Sequence, residues 1–417
     1  VGAWDVESAL GYSEATSHDE EFNRLSKTLL QNQLSLSTPD AFNPFWGPWA
    51  NSEAVLSQVR VSSVRFGESS MFTWDAKAVN DALFALPGGD VGAAFGVDFR
   101  RERIFEDSDP RLDGTLQFTN GAQPDRSDLV GVSATDDFGG DRNIWAAFAE
   151  FNVPIIGEDA NIPLVHGFDL QLAGRYENSS DYSDNFSPKI AAHWFLIPSL
   201  SIRAAYGEGF RAPNLVQINQ GDITRRNTGD ADLYRVGVTN TPGDTGETYR
   251  ISTRSGNPDL KPEDSESRVL GIIYQPNSGV LYGLRASVDY FEVETTNAIA
   301  NIGVARLLEE DFNNRIAGGP GIPEVIRAAV TPDEILLFNA YNAANPTMPR
   351  APAGEVINVL DGYVNLARRS VSGYDFAISY DFPDTPFGAF SIGATATQIL
   401  EILEIQEDGT TFDDLRF

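Results

Sequence analysis

Proton transfer and metal ligation near neutral pH fall first to histidine, and the chain has three: His18, His166 and His193. Each stands alone in the sequence, so all three read as solvated or lumen-lining side chains. Gly11-Tyr12-Ser13 begins like a nucleophile elbow, but Ala15 occupies the place of the closing glycine that the sharp turn needs. Asp107, Asp109 and Asp113 with Gly114 approach a calcium loop, yet their spacing departs from the pattern that wraps the ion. They read as a solvated acidic loop. The count of cysteine is zero, which excludes disulfides, zinc thiolates and thiol nucleophiles. Neither an enzyme nor a bound cofactor is expected.

What remains is a set of charges with strict spacing. Asp98, Arg100, Asp169, Arg175, Lys189, Arg203, Arg285 and Asp289 each alternate with apolar neighbours, as side chains do along a β-strand. Pro188–Phe195 and Leu200–Tyr206 form a hairpin about Pro198. Ile190, Ala192, Trp194, Leu200, Ile202, Ala204 and Tyr206 share one face; Lys189, His193, Ser201 and Arg203 share the other. A soluble sheet with one wet face gives this pattern, and so does a barrel with lipid outside and water inside.

The same alternation recurs about eleven times. Trp4, Val6, Leu10 and Tyr12 mark the first strand, and a polar, partly helical stretch follows to about Ser70, with Ser52 as an N-cap. Phe72–Ala78, Val91–Arg100, Asn143–Val153 and Phe168–Glu177 precede the central hairpin. Ser267–Tyr274, Leu281–Glu294, Tyr374–Tyr380 and Phe390–Thr397 follow it. Thr331-Pro332-Asp333-Glu334 is a capping box that predicts a short helix over Ile335–Ala340. Short connections (Leu86–Asp90, Ile197–Ser199, Gln275–Val280, the turn at Asp384-Thr385-Pro386) alternate with long polar ones (Arg101–Arg142, Gly207–Asp264, Thr295–Ala367). An outer-membrane barrel has that layout, with turns to the periplasm and loops outside. The aromatics Trp4, Tyr12, Phe99, Tyr176, Trp194, Tyr206, Tyr290 and Tyr380 lie near the ends of these short strands, where an interfacial girdle belongs.

Two motifs sharpen the assignment. The hairpin runs into Gly209-Phe210-Arg211-Ala212-Pro213, and after a long polar stretch comes Asn257-Pro258-Asp259-Leu260-Lys261-Pro262-Glu263. In this order the pair resembles the TonB-dependent outer-membrane receptor family, in which a strand ends in a GFRAP corner at the outer surface and the barrel resumes through NPDLKPE. The resemblance implies an all-β fold, an antiparallel transmembrane β-barrel with long extracellular loops carrying short helices. Residues 1–417 would form about half of a 22-stranded barrel, with the plug domain and the energy-coupling box outside the chain. The implied partners are outer-membrane lipid, the plug of the same protein, the TonB energy complex and a scarce extracellular solute such as a siderophore, cobalamin or saccharide. The lumen-facing charges would contact the plug or the ligand, or pair with one another. Taken by itself, a corner arginine such as Arg211 could meet an anionic ligand at the mouth; the favoured expectation is that it bonds loop carbonyls and fixes the corner.

Composition agrees. A formal net charge of −30 argues against nucleic acid, which needs clustered Lys and Arg. No run of about eighteen apolar residues offers a membrane helix, and Val1-Gly2-Ala3-Trp4 is not a signal peptide. The chain is therefore expected to be a fragment, and Asp413-Asp414-Leu415-Arg416-Phe417 reads as loop. Two other readings share the strands: a passive porin that needs no plug, and a soluble acidic β protein that binds polysaccharide.

Overall fold

The computed structural model describes residues 4–45, 47, 50–119, 124–382, 386–405 and 411–413. The residues Asp384, Thr385 and Asp414–Phe417, and the start Val1–Ala3, lie outside them. In chain order the elements begin β1 (Asp5–Leu25), α1 (Lys27–Leu34), α2 (Glu53–Leu56), β2 (Arg60–Leu86), β3 (Gly89–Ser108), β4 (Phe118–Thr119), β5 (Pro124–Asp125), β6 (Phe138–Ile156) and β7 (Gly167–Ser179). The central hairpin is β8 (Asn185–Ile197) and β9 (Leu200–Arg211), followed by α3 (Leu215–Asn219), β10 (Ile223–Asn227), β11 (Arg250–Arg254), β12 (Glu263–Tyr274) and β13 (Leu284–Asn301). Last come α4 (Val304–Ile316), β14 (Val325–Arg327), α5 (Pro332–Ala344), β15 (Val356–Leu360), β16 (Tyr363–Asp381), β17 (Ser391–Ile405) and β18 (Thr411–Asp413).

Twelve strands form one antiparallel sheet in the order β1-β2-β3-β6-β7-β8-β9-β12-β13-β16-β17-β18. Eleven are the expected ones. The twelfth, β18, pairs with β17 through Leu403↔Asp413, so Asp413 is strand and not loop. The sheet does not close on itself: β1 and β18 stand at its two edges.

The strands are much longer than the apolar alternation suggests. β1 spans 21 residues and β2 27, whereas a hydrocarbon core needs about 9–11 tilted residues. The polar segment after Tyr12 does not leave the sheet: Ser13↔Met71 continues without a break to Glu21↔Ser63. Likewise β3 runs on to Ser108, inside the stretch read as loop. Above the membrane both faces meet water, so pairing persists while the alternation that reveals it vanishes. The remaining corrections are small. α5 begins at the expected capping box and extends to Ala344, and Ser52 caps α2 by accepting from Val55 N at 3.4 Å.

The outward face is bare. Leu10, Trp145, Leu270, Ile272, Ile378 and Ile392 are all more than half exposed, with no second layer of protein over them. A soluble protein would not leave so large an apolar band open, so the soluble polysaccharide-binding alternative is discarded. Most fully buried apolar side chains lie in the outer loops instead. There β10-β11-β15-β14 make a four-stranded sheet, drawn from the β9–β12 loop and the β13–β16 loop. Val304, Leu307 and Leu308 of α4 cluster with Val325, Val356 and Val359 of that sheet, and Tyr234, Phe338 and Ala353 form a second cluster. The two loops are therefore one folded cap.

Candidate functional site at the outer mouth of the barrel

The two sequence motifs meet across a strand pair. β9 and β12 bring Arg211 opposite Glu263, Phe210 opposite Asp264 and Gly209 opposite Ser265. Arg211 Nε donates to Glu263 Oε2 at 2.7 Å, and its Nη2 donates to Oε1. Ile299 N donates to the same Oε1 at 2.6 Å. Glu263 is 8% exposed, and these donors satisfy a carboxylate that burial would otherwise leave without partners. Arg211 thus binds a carboxylate, and not the loop carbonyls expected of it: the strand register puts Glu263 directly beside it.

The carbonyl contact belongs to Arg142, which sequence reasoning passed over. Its Nη1 donates to Pro213 O at 2.7 Å, and its Nη2 pairs with Glu102 at 2.7 Å. The guanidinium also lies over the Tyr182 ring at 5.7 Å, and that ring packs on Phe210. Tyr182 donates to Glu177 at 2.7 Å; burial, then this carboxylate, raise its pKa far above the phenolic norm. One signal was available. Arg142 has the parity of Ile144 and Ala146, which face inward, but it fell in a stretch read as loop.

Beyond the corner, Ala212 and Pro213 lead to Asn214, whose side chain caps α3 in a box with Gln217. α3 receives the second motif: Asn257 N donates to Gln217 O at 2.8 Å. The Asn257 amide donates to Tyr363 O at 2.9 Å and accepts from Asp259 N at 2.9 Å. Lys261 and Asn365 exchange two bonds of 2.9 Å. Leu260 is buried, Pro258 is exposed and Pro262 is half-buried. The prolines hold the segment extended while the amides fasten it to β16.

Below the mouth lie the charged positions of the inward face. Arg203 grips Asp289 with two bonds of 2.7 Å, crossing Gly271, which lies opposite both residues in the register. Arg175 pairs with Asp98 at 2.8 Å and Glu177 at 3.0 Å. Arg100 pairs with Glu102 at 2.7 Å. Arg285 donates to Gln275 at 3.1 Å in an inner turn. Asp169 sits across from His193, which shares a 2.9 Å bond with Ser201, and Lys189 sits across from Gly207.

Of the girdle residues, Trp4, Tyr176, Trp194 and Tyr380 lie at or within three residues of a strand end, and the other four are displaced inward by the longer strands. Tyr12, Phe99, Tyr206 and Tyr290 lie within β1, β3, β9 and β13, at the level where the outward face turns from apolar to charged. Tyr12, Tyr176 and Tyr206 donate to Glu14, Asp184 and Glu208 at 2.5, 2.9 and 2.6 Å, the wet-tip geometry of an interface.

The acids that approach a calcium loop in the sequence are engaged by backbone amides. Asp109 accepts from Val64 N and Arg111 N, and Asp113 from Thr115 N, so these acids fasten the loop backbone. No group of three metal-binding side chains occurs among the described residues.

A bare apolar band, a wet inward face and alternating short turns and long loops define an outer-membrane β-barrel. The chain belongs to the TonB-dependent receptor-like β-barrel family, whose model matches residues 2–415. It is 30% identical over 228 residues to the iron-regulated outer membrane virulence protein of Vibrio cholerae, a match covering 54% of this chain and 26% of that protein. It is 30% identical over 145 residues to the ferric enterobactin receptor of Pseudomonas aeruginosa, covering 35% and 17%. Among solved structures, the siderophore receptor PirA of Acinetobacter baumannii superposes with a TM-score of 0.51 at 14% identity, over 97% of this chain and 43% of that one. The ferric enterobactin receptor PfeA of P. aeruginosa gives 0.51 at 15% identity, over 94% and 41%. The chain spans less than half the length of these relatives. The family and these neighbours are transport receptors.

Proposed function

We propose that this chain is the wall and outer cap of a receptor that takes up a ferric siderophore and passes it inward when the TonB complex acts on a plug held in the barrel. The names of the relatives support the solute class, and the family supports the energy source. The observation that carries the reading is the tether at the mouth. Arg211–Glu263 and Arg142–Pro213 fasten both motifs to the barrel wall, so the cap made by the two longest loops is anchored at the rim of the wall. Paired charges such as Arg203–Asp289 and Arg175–Asp98 line the space a plug would fill, and they give it polar partners instead of a greasy wall.

The test is iron-limited growth and uptake of labelled ferric siderophores in a strain whose other iron receptors are deleted. Uptake should require this receptor, an intact TonB and a membrane potential. Uptake that persists without TonB would point to a passive pore and overturn the proposal.

A further inference from the structure

We infer that Arg142 is a two-position latch on the corner of the mouth: its Nη1 arm holds the Pro213 carbonyl in this structure and transfers to the Asp181 carboxylate when the corner and α3 swing away from the wall. The inference is independent of which solute the receptor transports and of what drives transport. It divides the two tethers of the mouth into one that stays, Arg211–Glu263, and one that lets go.

The guanidinium has one edge fixed and one arm free. Its Nε and Nη2 both donate to Glu102 Oε2, at 2.8 and 2.7 Å, and Arg100 Nε holds the other oxygen of that carboxylate at 2.7 Å. The Tyr182 ring supports its face at 5.7 Å and is fixed in turn by Glu177. Nη1 stands outside this clamp, between acceptors from two different outer connections. Pro213 O, at the end of the GFRAP corner, takes it at 2.7 Å. Asp181 Oδ2, in the turn between β7 and β8, stands 3.7 Å away, about 1 Å beyond a good hydrogen bond.

Asp181 makes the second position usable. Ser179 Oγ donates to its Oδ1 at 2.6 Å, whereas Oδ2 is buried and accepts no hydrogen bond among the described residues. A buried acceptor without a donor is costly, so Oδ2 gains from any donor that reaches it, and an ionised acceptor bonds an arginine more strongly than a neutral carbonyl does. Without Asp181, release of the corner would strand an arginine arm whose side chain is 8% exposed. With it, Nη1 exchanges one acceptor for another. The corner also has room to move. A cavity of about 410 Å³ lies between α3 and the wall, bordered by Leu215 and Val216 of the helix and by Met71, Glu102 and Ile104 of β2 and β3. The second motif travels with α3, because Gly256 N donates to Gln220 O at 2.8 Å and Asn257 N to Gln217 O at 2.8 Å. A released corner therefore frees the base of the loop between β9 and β12, while Arg211–Glu263 keeps the two strand ends in register.

The test is amide hydrogen exchange in the complete receptor in bilayers. α3 is five residues long, too short to persist once detached, so the Ile218 and Gln220 amides, bonded to Asn214 O and Val216 O, read release of the corner. Arg142→Gln should speed their exchange at least about fivefold. Asp181→Ala should slow it at least about fivefold, because it removes the acceptor that stabilises the released position. The opposed signs identify a latch: a side chain that merely propped Arg142 against Pro213 would give faster exchange when removed. In Arg142→Gln/Asp181→Ala the rate should equal that of Arg142→Gln alone. Faster or unchanged exchange in Asp181→Ala, or unchanged exchange in Arg142→Gln, overturns the inference. Should Asp181→Ala fold badly, Asp181→Asn keeps the size of the side chain and its bond to Ser179; it should slow exchange severalfold, and faster or unchanged exchange refutes the latch.

Discussion

Removing the carboxylate of Glu263 should loosen the mouth of the barrel by an amount that can be worked from its contacts. In Glu263→Ala, Arg211 loses both bonds and Ile299 N loses its acceptor. The Arg211 side chain is 65% exposed and regains water, so the ion pair contributes less than a fully buried one; about 1.5–3 kcal/mol is appropriate for hydrogen bonds to a charged group. The stranded Ile299 amide adds about 1 kcal/mol or more. Arg211→Ala leaves the carboxylate with one donor and should cost about 2–3 kcal/mol. The double variant should cost less than the sum, with a coupling of about 1.5 kcal/mol or more. Amide hydrogen exchange reads this locally. Protection of Ile299 should fall roughly tenfold or more in Glu263→Ala, since about 1.4 kcal/mol is a factor of ten, whereas Ile272 in mid-wall should not change. Unaltered protection at Ile299, or zero coupling in the cycle, would refute the claim that the two motifs hold one another.

Further expectations concern the cap and the wall. Arg327 is buried between Asp232 and Asp311 at 2.6 Å from each, so Arg327→Met takes the only cation from buried Asp232 among the described residues, leaves Asp311 to Arg315 at 2.9 Å, and should destabilise the cap by about 3–5 kcal/mol. Limited proteolysis should then cut the loops 212–262 and 302–362 together; cleavage of only one would contradict a shared fold. Acid should act in the same direction. Burial pushes the carboxyls of Asp244 and Glu334 up, but the bonds to Asp244 from Thr239 and Arg235, and to Glu334 from Thr331 and Arg235, outweigh it and hold both below their ordinary values. Their contribution is complete above the unfolded-state values of about 4 and is lost as pH falls through the depressed ones. Cap proteolysis should therefore rise below about pH 4 and stay flat from about pH 5 to 8; greater sensitivity at neutral pH would refute this. In the wall, a Cβ on Gly271 would stand 1.8 Å from Asp289 Oδ1. Gly271→Ala should displace the Arg203–Asp289 pair and lower the unfolding midpoint by an amount equivalent to about 1–3 kcal/mol, and an unchanged midpoint would contradict the packing.

The sequence made the membrane-spanning part of the fold legible, because lipid enforces alternation there and nowhere else. Leu270, Ile272 and Val288 had to be apolar, and their neighbours Gly271, Asp289 and Ser287 did not. The same rule concealed the strand tips. Residues such as Glu14, Thr16 and His18 pair as regularly as those below them, but water on both sides leaves their polarity unconstrained. The corner was visible as two motifs, yet their partnership was not: Arg211 and Glu263 are 52 positions apart, and only the register unites them. Arg142 and Asn365 were missed for the same reason. Their partners are 71 and 104 residues away, and a single sequence carries no mark of contacts so distant. The cap was hidden in two long polar loops whose apolar residues serve a core built jointly by both.

The account depends on the apolar faces meeting lipid and the polar faces enclosing water, and the absence of cysteine makes a direct measurement simple. Single spin labels attached through Leu270→Cys, Ile272→Cys, Val288→Cys, Ser287→Cys and Ser379→Cys, which lies opposite Arg285 on the inward face, in the complete receptor in bilayers, are compared for collision with oxygen and with a water-soluble nickel chelate. Positions 270, 272 and 288 should favour oxygen, and positions 287 and 379 should not. A pattern without that alternation, or nickel access from the outward side, would contradict the account.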